Sequence, residues 1–190
     1  MGDNTTRFPG ALDTLQYQGI IEQMPPPWQV FTDLLVITGA RLGEAAALAD
    51  TDLDPATGAG RIHGIWRPGP RGWILADAPC ARTIAVPQNL FDRLDIGSSG
   101  EELFRIDGAC GPGLMTRFVG RVWRPAVDAV ADTLLGGRRP AVAALRTTCA
   151  LWLAEASVPW PVIATQLCYR DTASFARRHL DLLAPTVRAQ

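Results

Sequence analysis

Residues 38–48 of this chain read TGARLGEAAAL, and the elements on both sides can be placed relative to them. The apolar segment 28–37 before them favours a buried helix by its length, although the run 34–37 also suits a strand. The alanine-rich segment 41–49 predicts a short helix. An arginine at a helix start adds a planar fork of N–H donors to backbone N–H groups that attract anions. Arg41 is therefore a candidate phosphate ligand.

One further helix is predicted near the N-terminus. Residues 1–10 are polar and predict a loose lead-in, and residues 11–23 place apolar side chains near helical spacing. Positions 25–27 are three prolines, which remove backbone donors and end that helix before the next segment begins.

After residue 50 the hydrophobic pattern changes from helical to alternating. The segments 60–66, 71–77 and 82–86 are short and rich in β-branched or aromatic residues, with proline and glycine between them. They predict a small three-stranded antiparallel sheet, inserted after the third helix.

The C-terminal half returns to helical patterns. A helix is predicted at 88–95, followed by a glycine–serine linker at 97–100 and a glycine-rich loop at 108–113. Further helices are expected at 114–133, 140–156, 158–168 and 172–183. The sequence thus predicts a mostly helical α+β protein in which residues 11–190 form a single domain.

The charge is divided unevenly along the chain. All 18 basic residues are arginine, against 19 acids. Up to residue 60 two arginines face eight acids, and from residue 61 onward sixteen arginines face eleven acids. The pI near 6.1 argues against strong non-specific binding to DNA, but the asymmetry permits one basic face. No run of 18 apolar residues and no signal peptide is present, so a cytoplasmic protein without a membrane partner is expected.

The cysteines do not suggest a metal site. Cys80, Cys110, Cys149 and Cys168 form no C-x-x-C pair, and none clusters with a histidine. Reduced or buried thiols are the better interpretation, and neither a metal nor a cofactor is predicted.

A second motif lies between residues 145 and 169. It reads Leu145-Arg146-Thr147-Thr148-Cys149-Ala150, then Leu153-Ala154-Glu155-Ala156, Val158-Pro159 and Leu167-Cys168-Tyr169. With residues 38–48 and the strand Arg82-Thr83-Ile84-Ala85-Val86-Pro87, it resembles the signatures of tyrosine recombinases, the phage-integrase family, over roughly residues 11–185. The resemblance implies that family's catalytic-domain fold, a helical bundle with a small antiparallel sheet. It also implies that the family's N-terminal core-binding domain is not part of this protein.

The resemblance assigns roles to three positions. In that family the first arginine, here Arg41, grips the scissile phosphate, and the acid three residues later, here Glu44, steadies the site. Arg146 falls on the family's second arginine. A guanidinium suits this task because its paired N–H donors match two phosphate oxygens.

Other positions depart from the family pattern. Ala143 stands where the family has histidine or lysine, and Tyr169 where it has histidine or tryptophan. The general-acid lysine, expected within 76–81, is missing because the chain contains no lysine. The nucleophilic tyrosine is expected at Arg178 or His179. The resemblance therefore predicts a degenerate active site without strand cleavage, in which Arg41, Glu44, Arg146, Tyr169 and His179 are vestigial positions.

Each candidate residue also has a structural alternative. Arg41 and Arg146 either form an anion pocket or pair with Glu44 and backbone carbonyls. Tyr169 either bonds a phosphate or belongs to the core with its hydroxyl at the rim. His179 either attacks phosphorus or is an ordinary surface histidine.

Three further arginines have the spacing of one helix side. Arg117, Arg121 and Arg124 are three or four residues apart in the predicted helix 114–133. They either follow a DNA phosphate backbone or form a solvated face. His63 lies in an apolar strand, where a structural role is expected.

These features leave several functions open. The first is a catalytically inactive, tyrosine-recombinase-like protein that binds double-stranded DNA as a regulator or accessory factor of a mobile element. The second is a protein–protein module that docks through residues 172–183 on a second copy or on an active recombinase, without binding DNA. An integrase with displaced chemistry and a decayed remnant without a role are the remaining alternatives.

Overall fold

The computed structural model describes residues 10–97 and 99–183, with side chains as far as residue 177 in the last helix. The structure is mostly helical, with one three-stranded antiparallel sheet that follows the third helix in the chain. The predicted α+β class and the position of the sheet are therefore confirmed. Residues 1–9, most of the predicted lead-in, lie outside the described part.

The first three helices match the sequence pattern closely. α1 spans Thr14–Ile21 and begins with a capping box in which Asp13 and Gln16 bond each other's backbone N–H groups. α2 spans Pro26–Thr38, so the run 34–37 is helical. α3, Leu42–Ala45, is shorter than the predicted 41–49. It ends early because the chain turns into a 3-10 turn, Asp50–Asp52, that leads to the sheet.

The sheet is built from different segments than the sequence pattern predicts. β1 is Leu53–Asp54, β2 is Ala59–Gly69 and β3 is Gly72–Ala85, in the order β1-β2-β3. The predicted strands 71–77 and 82–86 are two parts of β3. The third strand, β1, has only two residues, too few to show an alternating pattern.

An irregularity in the β2–β3 pairing explains the apparent gap inside β3. Ile62 pairs with Arg82, but Gly64 pairs with Asp77, so β3 advances further than β2 and residues 78–81 bulge out. The prediction of separate strands at 71–77 and 82–86 was therefore wrong. The hairpin turn follows Gly69, where β2 ends, and leads to Gly72, where β3 begins.

The C-terminal elements follow the predicted order. After α4, Gln88–Phe91, comes a nearly continuous helical stretch made of α5, Gly111–Arg117, a π-helical segment, Phe118–Trp123, and α6, Arg124–Leu134. The remaining helices are α7, Ala144–Glu155, α8, Trp160–Gln166, and α9, Thr172–Leu183. α5 thus begins within the predicted loop 108–113. In the part of the chain that the structure describes, no helix has the length and apolar content needed to cross a membrane.

The main core is a stack of aromatic rings beneath α2. Phe31 is fully buried, and its ring centroid lies 4.8 Å from that of Phe104 and 5.0 Å from that of Phe118. Trp28 stacks on Phe118 at 5.8 Å, and Trp123 packs at its other side. This aromatic core joins α2 to the α5–α6 stretch. α3 packs directly on β2.

A second, smaller cluster packs α7, α8 and α9 together. Its centre is formed by Cys149, Ile163, Leu167 and Phe175, all of them buried. The first turns of α9 therefore pack on their own chain's helices.

Candidate anion-binding site

Glu44 is the centre of the site, and its side chain is fully buried. It lies in α3, whose N-cap residue is Arg41. The backbone N–H of Arg41 donates to Glu44 Oε2 at 2.8 Å, and Arg41 Nη1 donates to Oε1 at 2.9 Å. Because Arg41 and Glu44 are three residues apart at the start of the helix, the arginine and the carboxylate lie side by side and bond each other.

Arg82 supplies a second guanidinium to the same carboxylate. Its Nη2 donates to Glu44 Oε2 at 2.8 Å and its Nη1 donates to Oε1 at 3.2 Å, a two-pronged pairing. Its Nε donates to the carbonyl of Gln166 at 2.7 Å. Only 4% of this side chain is exposed.

Sequence reasoning places Arg82 only in a strand, yet a signal was present. Arg82, Ile84 and Val86 alternate inward on the buried face of β3 and its extension. An arginine at the inward position of such a pattern requires a buried acidic partner. The sequence does not show which acid it meets, because Glu44 is 38 residues away.

Arg146 approaches from α7. One of its Nη1 hydrogens bonds the carbonyl of Gly39, and its guanidinium carbon lies 5.7 Å from the ring centre of Tyr169. Burial, followed by the charge of Arg41, lowers the pKa of Arg146, while Glu44 and Tyr169 act in the opposite direction. The guanidinium thus lies close to a second cation.

Two guanidiniums, those of Arg82 and Arg41, determine the charge of Glu44. Burial alone raises the pKa of this carboxyl, but hydrogen bonds and charges from Arg82 and Arg41 outweigh it and hold the pKa below its ordinary value. Glu44 is therefore ionised near neutral pH. It balances one positive charge of the group formed by Arg41, Arg82 and Arg146, which we call the guanidinium cluster.

Two members of the guanidinium cluster, Arg41 and Arg146, line a cleft of about 820 Å³. Its walls come from the start of α3, the segment that leads into α7, and the loop after α8. The described residues that line it are Gly10, Leu35, Ala40, Arg41, Leu42, Ala141, Val142, Ala143, Ala144, Leu145, Arg146, Thr147, Cys168, Tyr169 and Arg170. Three of these are arginines and none carries a carboxylate. Arg41 has 40% of its side chain exposed.

The two tyrosines lie in different surroundings. Tyr169 lines the cleft, and its ring also packs edge-on against Phe175 at 5.4 Å. Tyr17 is buried in α1, and its hydroxyl donates to Asp33. Burial and then the Asp33 carboxylate raise the pKa of Tyr17 far above its ordinary value. Tyr17 is therefore an unreactive core residue.

The arginines of the α5–α6 stretch lie apart from this cleft. Arg117 and Arg121 line a separate open groove of about 440 Å³ with Trp73. Arg117 also donates to the carbonyl of Asp107 at 2.8 Å. Arg124 is exposed and is absent from the residues that line this groove.

His63, the histidine whose side chain the structure describes, does not line the cleft. His63 is exposed on β2, and its Nδ1 lies 3.1 Å from Asp52 Oδ1, so it belongs to the surface and not to an apolar interior. The side chain of His179 lies outside the described residues. Among the described residues, no group of three or more His, Cys, Asp or Glu side chains is arranged to hold a metal ion.

Comparison with solved structures identifies the architecture. The chain superposes on the integrase of transposon Tn1549 bound to circular-intermediate DNA with a TM-score of 0.74, at 14% identity, covering 100% of this chain and 68% of that one. For XerA recombinase the TM-score is 0.71 at 14% identity, covering 96% and 64%. For the catalytic domain of bacteriophage HP1 integrase it is 0.57 at 18% identity, covering 91% and 88%.

These likenesses bear on the fold and not on activity. The chain spans 61% of another Tn1549 integrase fragment, which was solved with transposon right-end DNA. No protein-family model and no curated protein matches the sequence. The chain therefore has the α+β fold of tyrosine-recombinase catalytic domains, with the guanidinium cluster at the start of α3.

Proposed function

We propose that this protein binds double-stranded DNA through the guanidinium cluster without cutting it, as a regulator or accessory factor of a mobile element. The observation that carries the proposal is the excess of cations in the cleft. Arg41, Arg146 and Arg170 line the cleft, and no acid is among the residues that line it. Arg41 is paired with the buried Glu44, which Arg82 also bonds, and Arg170 is paired with the adjacent Asp171, whereas Arg146 bonds a neutral carbonyl. A phosphate diester is an anion that would relieve this excess.

The way in which the charges are held also supports the proposal. Arg82 by itself bonds both oxygens of Glu44. Glu44 therefore keeps a paired cation even when the Arg41 guanidinium turns to another anion. Arg41 is partly exposed to the cleft and Arg146 uses Nη1 for a neutral carbonyl. Both guanidiniums therefore retain N–H groups for phosphate oxygens. Arg82 is therefore the structural member of the guanidinium cluster, and Arg41 and Arg146 are its binding members.

The proposed lack of cleavage follows from the side chains at the cleft. The covalent route of tyrosine recombinases needs a tyrosine nucleophile and proton donors. Ala143 lines the cleft without a titratable group, and the chain contains no lysine. Tyr17 is buried against Asp33, and the face of the Tyr169 ring is occupied by Arg146.

The test is a salt titration of binding to duplex fragments from the protein's own genomic neighbourhood. Wild type is compared with the double variant Arg41→Ala/Arg146→Ala. A matched control is Arg105→Ala/Arg139→Ala, which removes the same charge from exposed pairs with Glu102 and Asp128. We expect affinity to fall with salt, and to fall at least tenfold in the cleft variant but about twofold in the control.

Two outcomes would count against the proposal. Equal losses in the cleft variant and the control would show that binding depends only on net charge. Failure to bind DNA at low salt would rule out the DNA-binding function. Docking on a protein partner through residues 172–183 would then be the leading function.

Cleavage is tested separately with a nicked duplex that traps covalent intermediates. No adduct is expected after denaturation. An adduct would overturn the non-cutting part of the proposal, and the variants Tyr169→Phe and His179→Ala would then identify the displaced nucleophile.

A further inference from the structure

The outer edge of β3 is open near the hairpin turn. The sheet order β1-β2-β3 places β3 at the edge of the sheet, so one row of its backbone groups has no neighbouring strand. The later part of β3 lies against α8, where Arg82 donates to the carbonyl of Gln166. Among the residues that the structure describes, no backbone group outside β2 bonds the segment from Trp73 to Asp77.

The same segment exposes three consecutive large apolar side chains. Trp73 is 48% exposed, Ile74 37% and Leu75 57%. Because successive side chains of a strand point to opposite faces, exposure of three in a row means that neither face of this segment is fully covered. Residues 73–76 also carry no charge and no proline, the features that usually protect an edge strand. This edge is therefore suited to pairing with another strand.

The register with β2 shows which backbone groups of β3 face outward. Trp73 pairs with Pro68, which has no N–H, so these two residues cannot exchange two hydrogen bonds. In an antiparallel ladder such a pair alternates with hydrogen-bonded pairs, and the N–H and C=O groups of its residues point away from the partner strand. The backbone groups of Trp73, and of Leu75 two positions later, therefore point to the open edge.

The sequence of this edge is complementary to itself. When two copies are placed antiparallel about a two-fold axis at Ile74, Trp73 of each copy lies opposite Leu75 of the other. Both residues have outward backbone groups, so the two pairs can form four hydrogen bonds. In the same register Arg71, in the hairpin turn, lies opposite Asp77 twice. Both side chains are exposed, and neither bonds another described residue.

Neighbouring registers that also bring outward groups together lose this match. With the axis at Trp73, Arg71 lies opposite the apolar Leu75. With the axis at Leu75, Asp77 lies opposite the apolar Trp73. Opposite charges face each other when the axis is at Ile74, and directly opposed charges of unlike sign stabilise a strand pair.

We propose that this protein forms a symmetric dimer by antiparallel pairing of two β3 edges, with the two-fold axis at Ile74. The occupant of the edge is a second copy of the chain, and the two sheets join into one sheet of six strands. A contact of this length is smaller than a standard interface, so we expect a weak dimer with a Kd on the order of 100 µM. The dimer does not depend on DNA binding, because residues 71–77 are absent from the lining of the cleft.

Sedimentation velocity without DNA tests the pairing, at concentrations from about tenfold below to tenfold above that Kd. Arg71→Asp and Asp77→Arg each place like charges opposite each other twice, so each should weaken the dimer at least about tenfold. The double variant Arg71→Asp/Asp77→Arg restores opposite charges and should dimerise like wild type. Arg139→Asp makes the same charge change at an exposed residue outside the hairpin and should change the Kd less than about twofold.

A mixture of the two single variants gives a sharper result. Each copy of Arg71→Asp carries two acids at these positions, and each copy of Asp77→Arg carries two arginines. The mixture should therefore form a heterodimer although neither variant pairs with itself. Recovery in the mixture also shows that both single variants are folded.

An engineered cysteine locates the axis. In Ile74→Cys/Cys80→Ser, the two thiols at position 74 face each other in a non-hydrogen-bonded pair with Cα atoms about 4.5 Å apart, within disulfide range. Trypsin cuts after arginine, so peptide 72–82 then contains this cysteine alone, and oxidation should join two copies of the peptide. Ala76→Cys/Cys80→Ser is the matched control, because position 76 lies opposite Gly72 in this register and should not link to itself.

Three results would overturn the proposal. The first is a wild-type protein that stays monomeric over the whole concentration range. The second is a dimer that neither single charge variant weakens, as docking through residues 172–183 would give. The third is a disulfide that forms as readily in Ala76→Cys/Cys80→Ser as in Ile74→Cys/Cys80→Ser, since random collision would then explain both.

Discussion

The aromatic core beneath α2 and the guanidinium cluster at the start of α3 are two neighbouring interiors with opposite chemistry. Phe31 is fully buried among Trp28, Phe104 and Phe118. Glu44 is equally buried, but its contacts are two guanidiniums. The first region gains free energy by removing apolar surface from water, while the second loses hydration and recovers it only through complete pairing.

This difference indicates which residues can be substituted with a small loss of stability. A buried ion pair is often no better for stability than well-packed apolar residues, but removing one partner leaves an unpaired buried charge and is costly. Within the cluster the division repeats, because Arg82 is almost fully buried whereas Arg41 is 40% exposed. Arg82 keeps Glu44 satisfied, and Arg41 remains open to the cleft.

The largest loss of stability is expected in the aromatic core. Phe31→Ala should reduce the free energy of unfolding by about 4 kcal/mol, because it removes a ring and leaves a cavity among three others. Urea unfolding followed by tryptophan fluorescence measures it. Phe31→Leu, which retains most of the volume, should cost roughly 1 kcal/mol. If Phe31→Ala cost as little as Phe31→Leu, the neighbouring side chains would have to collapse into the cavity, and the core would not be tightly packed.

A slightly smaller loss is expected when the carboxylate is neutralised. Glu44→Gln should cost about 3 kcal/mol, because the buried guanidinium of Arg82 loses its counter-ion. The matched control Glu102→Gln removes an exposed carboxylate three residues from its partner Arg105 and should change stability by less than about 0.5 kcal/mol. A loss as small as that of the control would mean that water reaches Arg82.

The pH dependence of stability should differ between substitutions in the guanidinium cluster and substitutions in the aromatic core. Because the pKa of Glu44 is lowered in the folded state, its contribution is present above the ordinary carboxyl pKa of 4.5 and is lost as the pH falls through the folded value. The stability gap between wild type and Glu44→Gln should therefore shrink below that pH. The gap between wild type and Phe31→Ala should stay constant, since no group titrates at that position. Denaturant midpoints between pH 3.5 and 7 provide the measurement.

The smallest effect on stability is expected at the exposed cation. Arg41→Ala should cost only about 0.5–1 kcal/mol, because Arg82 still bonds both oxygens of Glu44. Arg82→Ala should cost several times more, since it also removes the bond to the carbonyl of Gln166. If the two variants lost equal stability, the division between a structural and a binding guanidinium would be wrong.

Much of the fold follows from local patterns in the sequence. The helices from α1 to α9 and the position of the sheet could be predicted, because helical and alternating periods reflect which face is buried. β1 and the continuity of β3 could not be predicted. A two-residue strand has no period, and a bulge interrupts the alternation without ending the strand.

The candidate site divides in the same way. Arg41 and Glu44 were predictable as a pair because they are three residues apart at a helix start. Arg82 was not predicted as a site residue, because its position in the site depends on the packing of β3 against the end of α8. Arg41 and Arg146 each bond a protein acceptor, as one of their alternatives expects, and each also lines the cleft. The anion pocket itself stays a prediction.

The sequence by itself determined the order and type of the elements and the presence of arginines at two signature positions, because these depend on short-range spacing. Only the tertiary structure decided that Arg41 and Arg82 share one buried carboxylate and that Arg41 and Arg146 line the same open cleft. The physical reason is that the charge balance of a buried group depends on neighbours brought together by folding. Glu44 and Arg82 are 38 positions apart in the chain but 2.8 Å apart in the structure.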